Sequence, residues 1–404
     1  MSPQPASGPF AGLRVIEMGH ALAGPLACTL LGDFGADVIK VERPGVGDSL
    51  RAMGPKHNGT GVWWSVTGRN KRSICIDYKQ PAGRDLILDL LRKADVLVEN
   101  YRPGVLDRAG LGWAELSVLM PRLIMLSISG FGQTGPYRER GGFGKIAEAF
   151  SGATHLTGST DAPPVHPGYS LGDATTGLMG AFGIVSALYD RDRTGRGQLI
   201  DLALYEPLFR LVEWQLPLQA LLGNTAMRNG PRFPFDGAFI TDICATADGE
   251  SLIVSAATTD SLKRLRDFVV REELMDPSSS SDSDLVDGLR KWVAQHGRDE
   301  AIARLEAEGL VVGGVMNAKD LLGDPHVSAR ENIARPSDAA GQEIPMPGVL
   351  PHLSGNPGQV RWPGASLGAH TEEILRDVLG LSPELEEKLI RDGVVGEPAG
   401  GGHA

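Results

Sequence analysis

The feature that most constrains this fold is a regular alternation of short apolar runs and amphipathic helical patterns in the first half of the chain. The apolar runs lie at residues 13–18, 37–41, 73–78, 95–99 and 123–129. A helical pattern occupies residues 82–94, and Pro25 stands where another helix can begin. The run at 123–129 is almost uninterrupted, as in strands covered on both faces. The alternation predicts an α/β fold with a doubly wound parallel sheet.

The pattern changes after Gly223. Residues 204–222 predict a long helix interrupted by two prolines, and the stretch that follows predicts hairpins, a polar loop and two helices. We therefore predict a large α/β domain, a smaller α+β domain, and a Pro- and Gly-rich return to the large domain that ends in a flexible tail. These three segments are residues 1–223, 224–334 and 335–404.

Charge and targeting signals limit the class of protein. The net charge is −11 and the pI is 5.4, which argues against a general nucleic-acid binder. Residues 1–10 lack the pattern of a signal peptide. The apolar run between Asp173 and Asp190 is shorter than a membrane span and predicts a buried helix. Three scattered cysteines favour a reducing compartment over disulfides or a zinc site. We expect a cytoplasmic protein that binds neither membranes nor nucleic acid.

Asp173 is the candidate catalytic residue, in the segment Leu-Gly-Asp-Ala-Thr-Thr-Gly ahead of a helix lined by small residues. Aspartate is a preferred helix N-cap, and spacing alone favours that structural role. A helix N-terminus also keeps a carboxylate ionised, which a carboxylate nucleophile requires. The two roles are compatible.

Basic residues cluster at the ends of the predicted strands, where a parallel sheet presents its ligand crevice. They are Arg43, Arg69, Lys71, Arg72, Lys79, Arg102 and Arg108. Such a cluster can hold a phosphorylated ligand, although each residue alone is more typical of a solvated surface. The sequence has no P-loop, and its G-x-G-x-x-G at residues 130–135 opens no predicted helix. Neither of its two G-x-S-x-G matches, residues 168–172 and 364–368, follows a predicted strand, so no nucleophile elbow is expected.

Several segments, taken in order, resemble the class III CoA-transferase family over about nine-tenths of the chain. They are residues 22–43, 70–74, 95–104 (DVLVENYRPG), 129–136 (SGFGQTGP), 172–173, 194–198 and 367–375. The resemblance implies that Asp173 is a nucleophile that attacks an acyl-CoA thioester. An aspartyl anhydride and an aspartyl-CoA thioester follow, and a free carboxylic acid accepts the CoA. It further implies an interlocked homodimer and no permanently bound cofactor or metal.

The resemblance also implies a set of site residues. The CoA-binding positions would be Leu22, Ala23, Arg43, Ile76, Asp77, Tyr78, Lys79, Asn100, Tyr101, Arg102 and Arg108. A substrate loop would include Phe143, Gly144, Asp236 and Gly237. Formyl-CoA transferase has a glutamine where this chain has Leu22, and its glycine-rich flap is not evident here. A larger or less polar acyl group than formyl or oxalyl is therefore expected.

Two other functions stay open at this point. α-Methylacyl-CoA racemases resemble the same family and also use an aspartate at the position of Asp173. They need a second acid/base, and their His-Asp pair is replaced here by Phe143 and Gly144, neither of which can move a proton. A non-catalytic acyl-CoA binder is the other alternative, which the presence of Asp173 disfavours.

Overall fold

A computed structural model describes residues 7–232 and 239–396. The chain divides into two compact units. The large unit takes the described residues of Met1–Ser151, Gly168–Leu211 and His326–Ala404, and the small unit takes those of Gly152–Pro167 and Val212–Pro325.

The large unit is built on a six-stranded sheet in which every neighbouring pair is parallel. The strands of this sheet are β1 (Arg14–Glu17), β2 (Asp37–Glu42), β5 (Lys71–Cys75), β6 (Val96–Glu99), β7 (Ile124–Ser129) and β8 (Leu199–Ala203). The strands β3 (Lys56–His57) and β4 (Thr60–Gly61) form a separate short hairpin. The order across the sheet is β5-β2-β1-β6-β7-β8. The predicted α/β fold with a parallel sheet is confirmed, and β8 is an addition to the predicted strands.

Helices connect these strands. They are α1 (Ala23–Asp33), α2 (Val62–Thr67), α3 (Pro81–Leu91), α4 (Val105–Arg108), α5 (Trp113–Leu119), α6 (Gly144–Phe150), α7 (Leu171–Thr194) and α8 (Glu206–Leu211). Alternate residues of one strand enter different cores: Val15 packs in one apolar cluster and Ile16 in another, and both are fully buried. Burial on both faces explains why the strands read as almost continuous apolar runs.

The helix α7 packs against α1 through small residues. A Cβ atom on Gly177 would lie 3.0 Å from the carbonyl oxygen of Ala23, so only glycine permits this approach. The opposite face exposes large apolar side chains, including Phe182 at 68% and Tyr189 at 69%. The prediction of a short, buried helix at 173–190 is therefore wrong: α7 has 24 residues, is long and apolar enough to cross a membrane, and has a third of its apolar stretch buried.

The C-terminal return belongs to the large unit and is tied to its sheet. The last segment of the large unit begins at His326, earlier than the predicted residue 335. Its elements are α14 (Pro325–Ala329, at the boundary), β12 (Ile333–Ala334), β13 (Met346–Pro347), α15 (Thr371–Glu373) with a following π-helical turn (Ile374–Val378), and α16 (Pro383–Arg391). The Asn70 N–H donates to the Trp362 carbonyl at 3.1 Å, and the Asp77 N–H donates to the Val394 carbonyl at 2.8 Å. The end of the return thus lies beside the end of β5.

The small unit has its own core, around an antiparallel sheet in the order β11-β10-β9. Its elements are α9 (Gln215–Leu222), β9 (Ile240–Ala245), β10 (Ser251–Ala256), α10 (Thr259–Arg271), α11 (Asp282–Val293), α12 (Arg298–Ala307), β11 (Val311–Gly314) and α13 (Ala318–Gly323). The predicted small domain spanned 224–334, whereas the compact unit includes α9 and residues 152–167. That early segment joins it because Gly230 donates its N–H to the Gly158 carbonyl at 2.9 Å.

Candidate active site

Asp173 lies in the first turn of α7, where its carboxylate is half-buried and faces a cavity of about 560 Å³. The helix begins at Leu171, so the N-cap position belongs to Ser170, whose side chain makes no capping hydrogen bond. The prediction that Asp173 caps the helix is therefore wrong by three positions. A carboxylate in the first turn is still stabilised in its ionised form by the helix dipole.

Gly144, the first residue of α6, lies directly against this carboxylate. A Cβ atom at residue 144 would come within 2.9 Å of the Asp173 Cγ. The approach is mutual, because a Cβ atom on Gly172 would lie 2.7 Å from the Gly144 carbonyl oxygen. Two glycines thus allow the starts of α6 and α7 to touch. Phe143, next to Gly144, lines the same cavity and is 77% exposed.

A second carboxylate lies beside Asp173. The Glu148 side chain is 1% exposed, and its Oε1 accepts a hydrogen bond of 3.1 Å from the Gly172 N–H. Lys145 pairs with it, with Nζ at 3.1 Å and 3.0 Å from its two carboxylate oxygens. Lys145 also donates to the Tyr169 carbonyl at 2.7 Å. The start of α7 is therefore held by an ion pair from α6.

These surroundings shift the acidity of Asp173. Burial raises the pKa of the Asp173 carboxyl, the nearby Glu148 charge raises it further, and Lys145 lowers it. The net pKa lies above the ordinary value of an aspartate. A carboxylate with a raised pKa is a better nucleophile than one that is fully solvated, provided that it is ionised.

The cavity opens beyond the carboxyl ends of β1 and β6, where the strand order reverses. Asn100 joins the loops that follow these two strands: its Oδ1 accepts from the His20 N–H at 2.8 Å, and its Nδ2 donates to the His20 carbonyl at 2.8 Å. Such a reversal is where open parallel sheets bind ligands. Asn100, which was predicted to flank a nucleotide, lines this cavity, and its amide fixes the loop that leads to Leu22.

A buried group of charges lies under this loop. Lys40 is 1% exposed and its Nζ lies 2.6 Å from Glu17 Oε1 and 2.7 Å from Asp48 Oδ2. It also donates to the Gly19 carbonyl at 2.8 Å, while Asp48 Oδ1 accepts from the Ala21 N–H at 3.0 Å. The two side chains together hold the loop that precedes α1.

A buried carboxyl group lies behind the cavity at the end of β6. Glu99 is 4% exposed; one oxygen is hydrogen-bonded to the Ser127 hydroxyl and the other accepts from the Tyr101 N–H at 2.8 Å. The Ser127 hydroxyl in turn accepts from the Gln133 amide at 2.8 Å. Burial raises the pKa of Glu99 to about 7. This carboxyl therefore titrates near neutral pH.

The predicted site residues line three neighbouring cavities of the large unit. Lining the cavity of Asp173 are Leu22, Ala23, Asn100, Tyr101, Arg102, Phe143 and Gly144. A second cavity, of about 290 Å³, is lined by Arg43, Ile76, Asp77, Tyr78, Lys79 and Tyr101. A third, of about 510 Å³, is lined by Tyr78, Lys79 and Arg108. The shared tyrosines show that the cavities adjoin, and Asp236 and Gly237 lie outside the described residues.

Three of the basic residues that sequence analysis grouped at strand ends form ion pairs with acidic side chains of the large unit. Arg69 forms an ion pair with Asp33, and Lys71 pairs with Glu17 at 2.7 Å. Arg72 bridges two acidic side chains, on β2 and α15. Arg69 and Arg72 lie at the start of β5, the end of the strand away from the cavities, whereas the Lys71 side chain reaches up to Glu17 at the carboxyl end of β1. That part of the predicted basic cluster is therefore wrong.

Sequence analysis missed Lys145 and Glu148, and it also missed Arg140, which lines the cavity of Asp173. One signal for the pair was present. Glu148 is a single acid in the apolar stretch Ile-Ala-Glu-Ala-Phe, three positions after a lysine. A charged residue in such a stretch is buried only when it is paired.

A parallel α/β sheet with a carboxylate and several cations at its reversal point defines a ligand-binding α/β protein, and comparisons with known proteins give its family. The family model for CoA-transferase family III matches residues 10–371. The succinyl-CoA–D-citramalate CoA-transferase of Chloroflexus aurantiacus is 40% identical over 95% of this chain and 97% of its own length. The succinyl-CoA–L-malate CoA-transferase beta subunit of that organism is 41% identical over 93% of this chain and 95% of its own length.

A solved structure agrees with these relatives. The crystal structure of a CAIB/BAIF family protein from Brucella suis has a TM-score of 0.83 and 31% identity, and it covers 92% of this chain and 100% of its own. The chain belongs to CoA-transferase family III. It is an enzyme of this class, with acyl-CoA thioesters and carboxylates as substrates.

Proposed function

We propose that this enzyme moves CoA from an acyl-CoA donor to a free carboxylic acid through covalent intermediates on Asp173. The observation that carries the proposal is the position of the Asp173 carboxylate, which faces the cavity at the start of α7 with Gly144 against it. Glu148, the other carboxylate among the described residues that line this cavity, lacks this freedom because it is buried and paired with Lys145.

The proposed reaction has four steps. The Asp173 carboxylate attacks the carbonyl carbon of the donor, the C–S bond breaks, and the CoA thiolate leaves from a mixed anhydride. The thiolate then attacks the Asp173 carbonyl, which releases the donor acid and leaves an aspartyl-CoA thioester. The acceptor carboxylate attacks this thioester to form a second anhydride. Thiolate attack on the acceptor carbonyl gives the new acyl-CoA and restores Asp173.

CoA would lie along the three adjoining cavities. Arg43 and Arg108 are exposed at the second and third cavities, where each can donate charge-assisted hydrogen bonds to a phosphate. The thioester would then reach past Tyr101 toward Asp173. No resident cofactor is needed by this chemistry, because the acyl group and the CoA are carried by the enzyme's own carboxylate.

We propose dicarboxylic substrates, with a succinyl donor and a four- or five-carbon dicarboxylic acceptor. The relatives named above act on succinyl-CoA with citramalate or malate. Three cations line the cavity, Arg102, Arg140 and Lys145, against the carboxylates of Asp173 and Glu148. This excess of positive charge in an acidic protein favours an acyl group with a second carboxylate.

A homodimer in the cytoplasm completes the proposal. The face of α7 with Phe182 and Tyr189 leaves a run of large apolar side chains exposed, which a second copy of the chain can cover. The interlocked form is the one that the family resemblance implies. Light scattering at working concentration measures the oligomeric state.

The cysteines are all free and buried, which supports a reducing compartment.

The test is to trap the intermediate. The enzyme is incubated with succinyl-CoA alone, quenched in acid and digested, and the peptide that contains Asp173 is weighed by mass spectrometry. We expect a CoA adduct on this peptide in the wild type and none in Asp173→Asn. A wild-type enzyme that transfers CoA between acids without any adduct at Asp173 would contradict the proposal. Rapid deuteration of a 2-methylacyl-CoA in D₂O with no CoA transfer to any acid would instead support the racemase.

A further inference from the structure

The pair formed by Lys145 and Glu148 has a geometry that its structural role alone does not require. Glu148 is nine-tenths or more buried and accepts the Gly172 N–H at 3.1 Å, one residue before Asp173. The Ser170 side chain at the N-cap makes no capping bond, so Glu148 serves as the capping acceptor from a neighbouring helix. An amide or hydroxyl oxygen could perform this capping equally well.

A carboxylate at this place has an electrostatic consequence. In the proposed reaction, on which this inference rests, Asp173 is negative in the free enzyme and neutral in each covalent intermediate. Glu148 takes no part in the bond changes, and Lys145 pairs with both of its oxygens. The repulsion between the two carboxylates is therefore present in the free enzyme and disappears on acylation. A fixed charge of this kind favours the acylated state over the free one.

Other charged groups near the site have different geometry. Arg102 and Arg140 line the cavity from exposed positions, and His20 lies at the end of β1. The groups whose charges act on the acidity of Asp173 are Glu148, which raises its pKa, and Lys145, which lowers it; burial has the largest effect and also raises it. The two members of the pair thus act on Asp173 in opposite directions.

We infer that Glu148 and Lys145 are positioning residues of the transfer reaction. Glu148 caps the helix of Asp173 and destabilises the free nucleophile by a fixed negative charge, and Lys145 limits that effect. The pair sets how readily Asp173 accepts the acyl group and over what range of pH it does so.

Two variants with opposite expected results test the inference. Glu148→Gln keeps an oxygen that can accept the Gly172 N–H but removes the charge, so the acid limb of the kcat/KM profile should move to lower pH. Lys145→Gln removes the opposing charge, so the same limb should move to higher pH. In Glu148→Gln, kcat on the plateau should fall by about 10- to 100-fold, the range for a misplaced or less reactive catalytic group. The fraction of enzyme trapped as the Asp173 adduct should fall with it.

A matched control is Glu139→Gln, which changes an exposed glutamate that pairs with its neighbour Arg138 and should leave both the acid limb and kcat unchanged. Thermal unfolding of each variant reports on folding, and if Glu148→Gln does not fold, the shift in Lys145→Gln decides alone. If the acid limb of the kcat/KM profile stays at the wild-type pH in both Glu148→Gln and Lys145→Gln, while the adduct still forms on Asp173, the inference is overturned and the proposed function remains intact. Failure of the wild type to form the adduct would instead overturn the proposed function.

Discussion

Gly144 and Asp173 are in contact: a Cβ atom at residue 144 would come within 2.9 Å of the Asp173 Cγ and 3.4 Å of its backbone nitrogen. The glycine at 144 therefore leaves the carboxylate the space in which it faces the cavity. The backbone of Gly144 does not adopt the left-handed conformation, so the requirement for glycine here is one of space alone.

Gly144→Ala is therefore expected to displace the Asp173 carboxylate without straining the backbone. Because a misplacement of about 1 Å at a reacting group can cost about 100-fold in rate, we expect kcat to fall by that order. Steady-state kinetics measures the change. The control is Gly168→Ala, at a position where an added Cβ atom meets no atom within 4 Å. Equal activities of the two variants would show that Asp173 does not need this space.

Arg43→Ala and Arg108→Ala are each expected to weaken CoA binding. If these residues hold phosphates, each should cost about 1.5–3 kcal/mol, the range of charge-assisted hydrogen bonds, and the loss should shrink at high salt. Titration calorimetry with CoA at two salt concentrations measures it. Arg138→Ala is the control, since Arg138 is exposed and pairs with its neighbour Glu139. Unchanged CoA affinity in both variants would show that Arg43 and Arg108 are solvated surface residues that do not bind the CoA phosphates.

Lys40→Met is expected to destabilise the fold strongly. Burial alone lowers the pKa of Lys40, but the carboxylates of Glu17 and Asp48 raise it above its ordinary value, so the lysine is charged in the folded protein. Its removal leaves the buried Asp48 carboxylate without its cation, while Glu17 keeps its ion pair with Lys71, at a cost of about 3–5 kcal/mol in the free energy of unfolding. Urea denaturation measures this cost. The exposed Lys263→Met should leave the midpoint where it is, and a similar midpoint for both variants would refute the prediction.

Glu99→Gln is expected to stabilise the protein by an amount that grows as the pH rises from about 4.5 to 7 and stays constant above that. The pKa of Glu99 is raised by burial to about 7, so the folded state binds a proton that the unfolded state has already lost above about pH 4.5. The stability from this proton is complete below that pH and is lost as the pH rises through 7. At about 1.4 kcal/mol per pKa unit, the variant gains up to ~3 kcal/mol at pH 8.

At pH 4.5 the Glu99→Gln variant should unfold at the same urea concentration as the wild type, since the amide resembles the protonated acid. Denaturation curves at both pH values give the comparison. A gain that is the same at the two pH values would mean that Glu99 does not titrate in this range.

The sheet could be predicted because its strands are buried on both faces and therefore carry an almost continuous apolar signal, as in residues 123–129. Asp173 was found because its segment resembles a family motif. The capping geometry could not be predicted, because serine and aspartate are both favoured N-cap residues and only the contact with α6 decides between Ser170 and Asp173. Glu148 could not be placed because its acceptor role depends on a helix 24 residues away in sequence.

The ends of the cavities depend in the same way on distant parts of the chain. Sequence analysis placed Arg72 at the ligand crevice because it lies at one end of a predicted strand. It lies at the amino end of β5, however, and the cavities lie beyond the carboxyl ends of the strands. The order of strands and helices can be predicted from the sequence. Which end of β5 lies at the cavities depends on its parallel pairing with β2.

The hydrogen bonds between the end of β5 and the C-terminal return have a consequence for biosynthesis. Asp77 and Ile76 meet Val394 and Val395, more than 300 positions later in the chain. During translation the sheet can form long before Val394 and Val395 leave the ribosome. The turn of Tyr78 and Lys79 therefore lacks the adjacent hydrogen bonds until the chain has been made past residue 396. A nascent chain stalled before that point would carry Asp173 and a folded sheet, yet Tyr78 and Lys79, which line the second and third cavities, would lack the neighbouring hydrogen bonds.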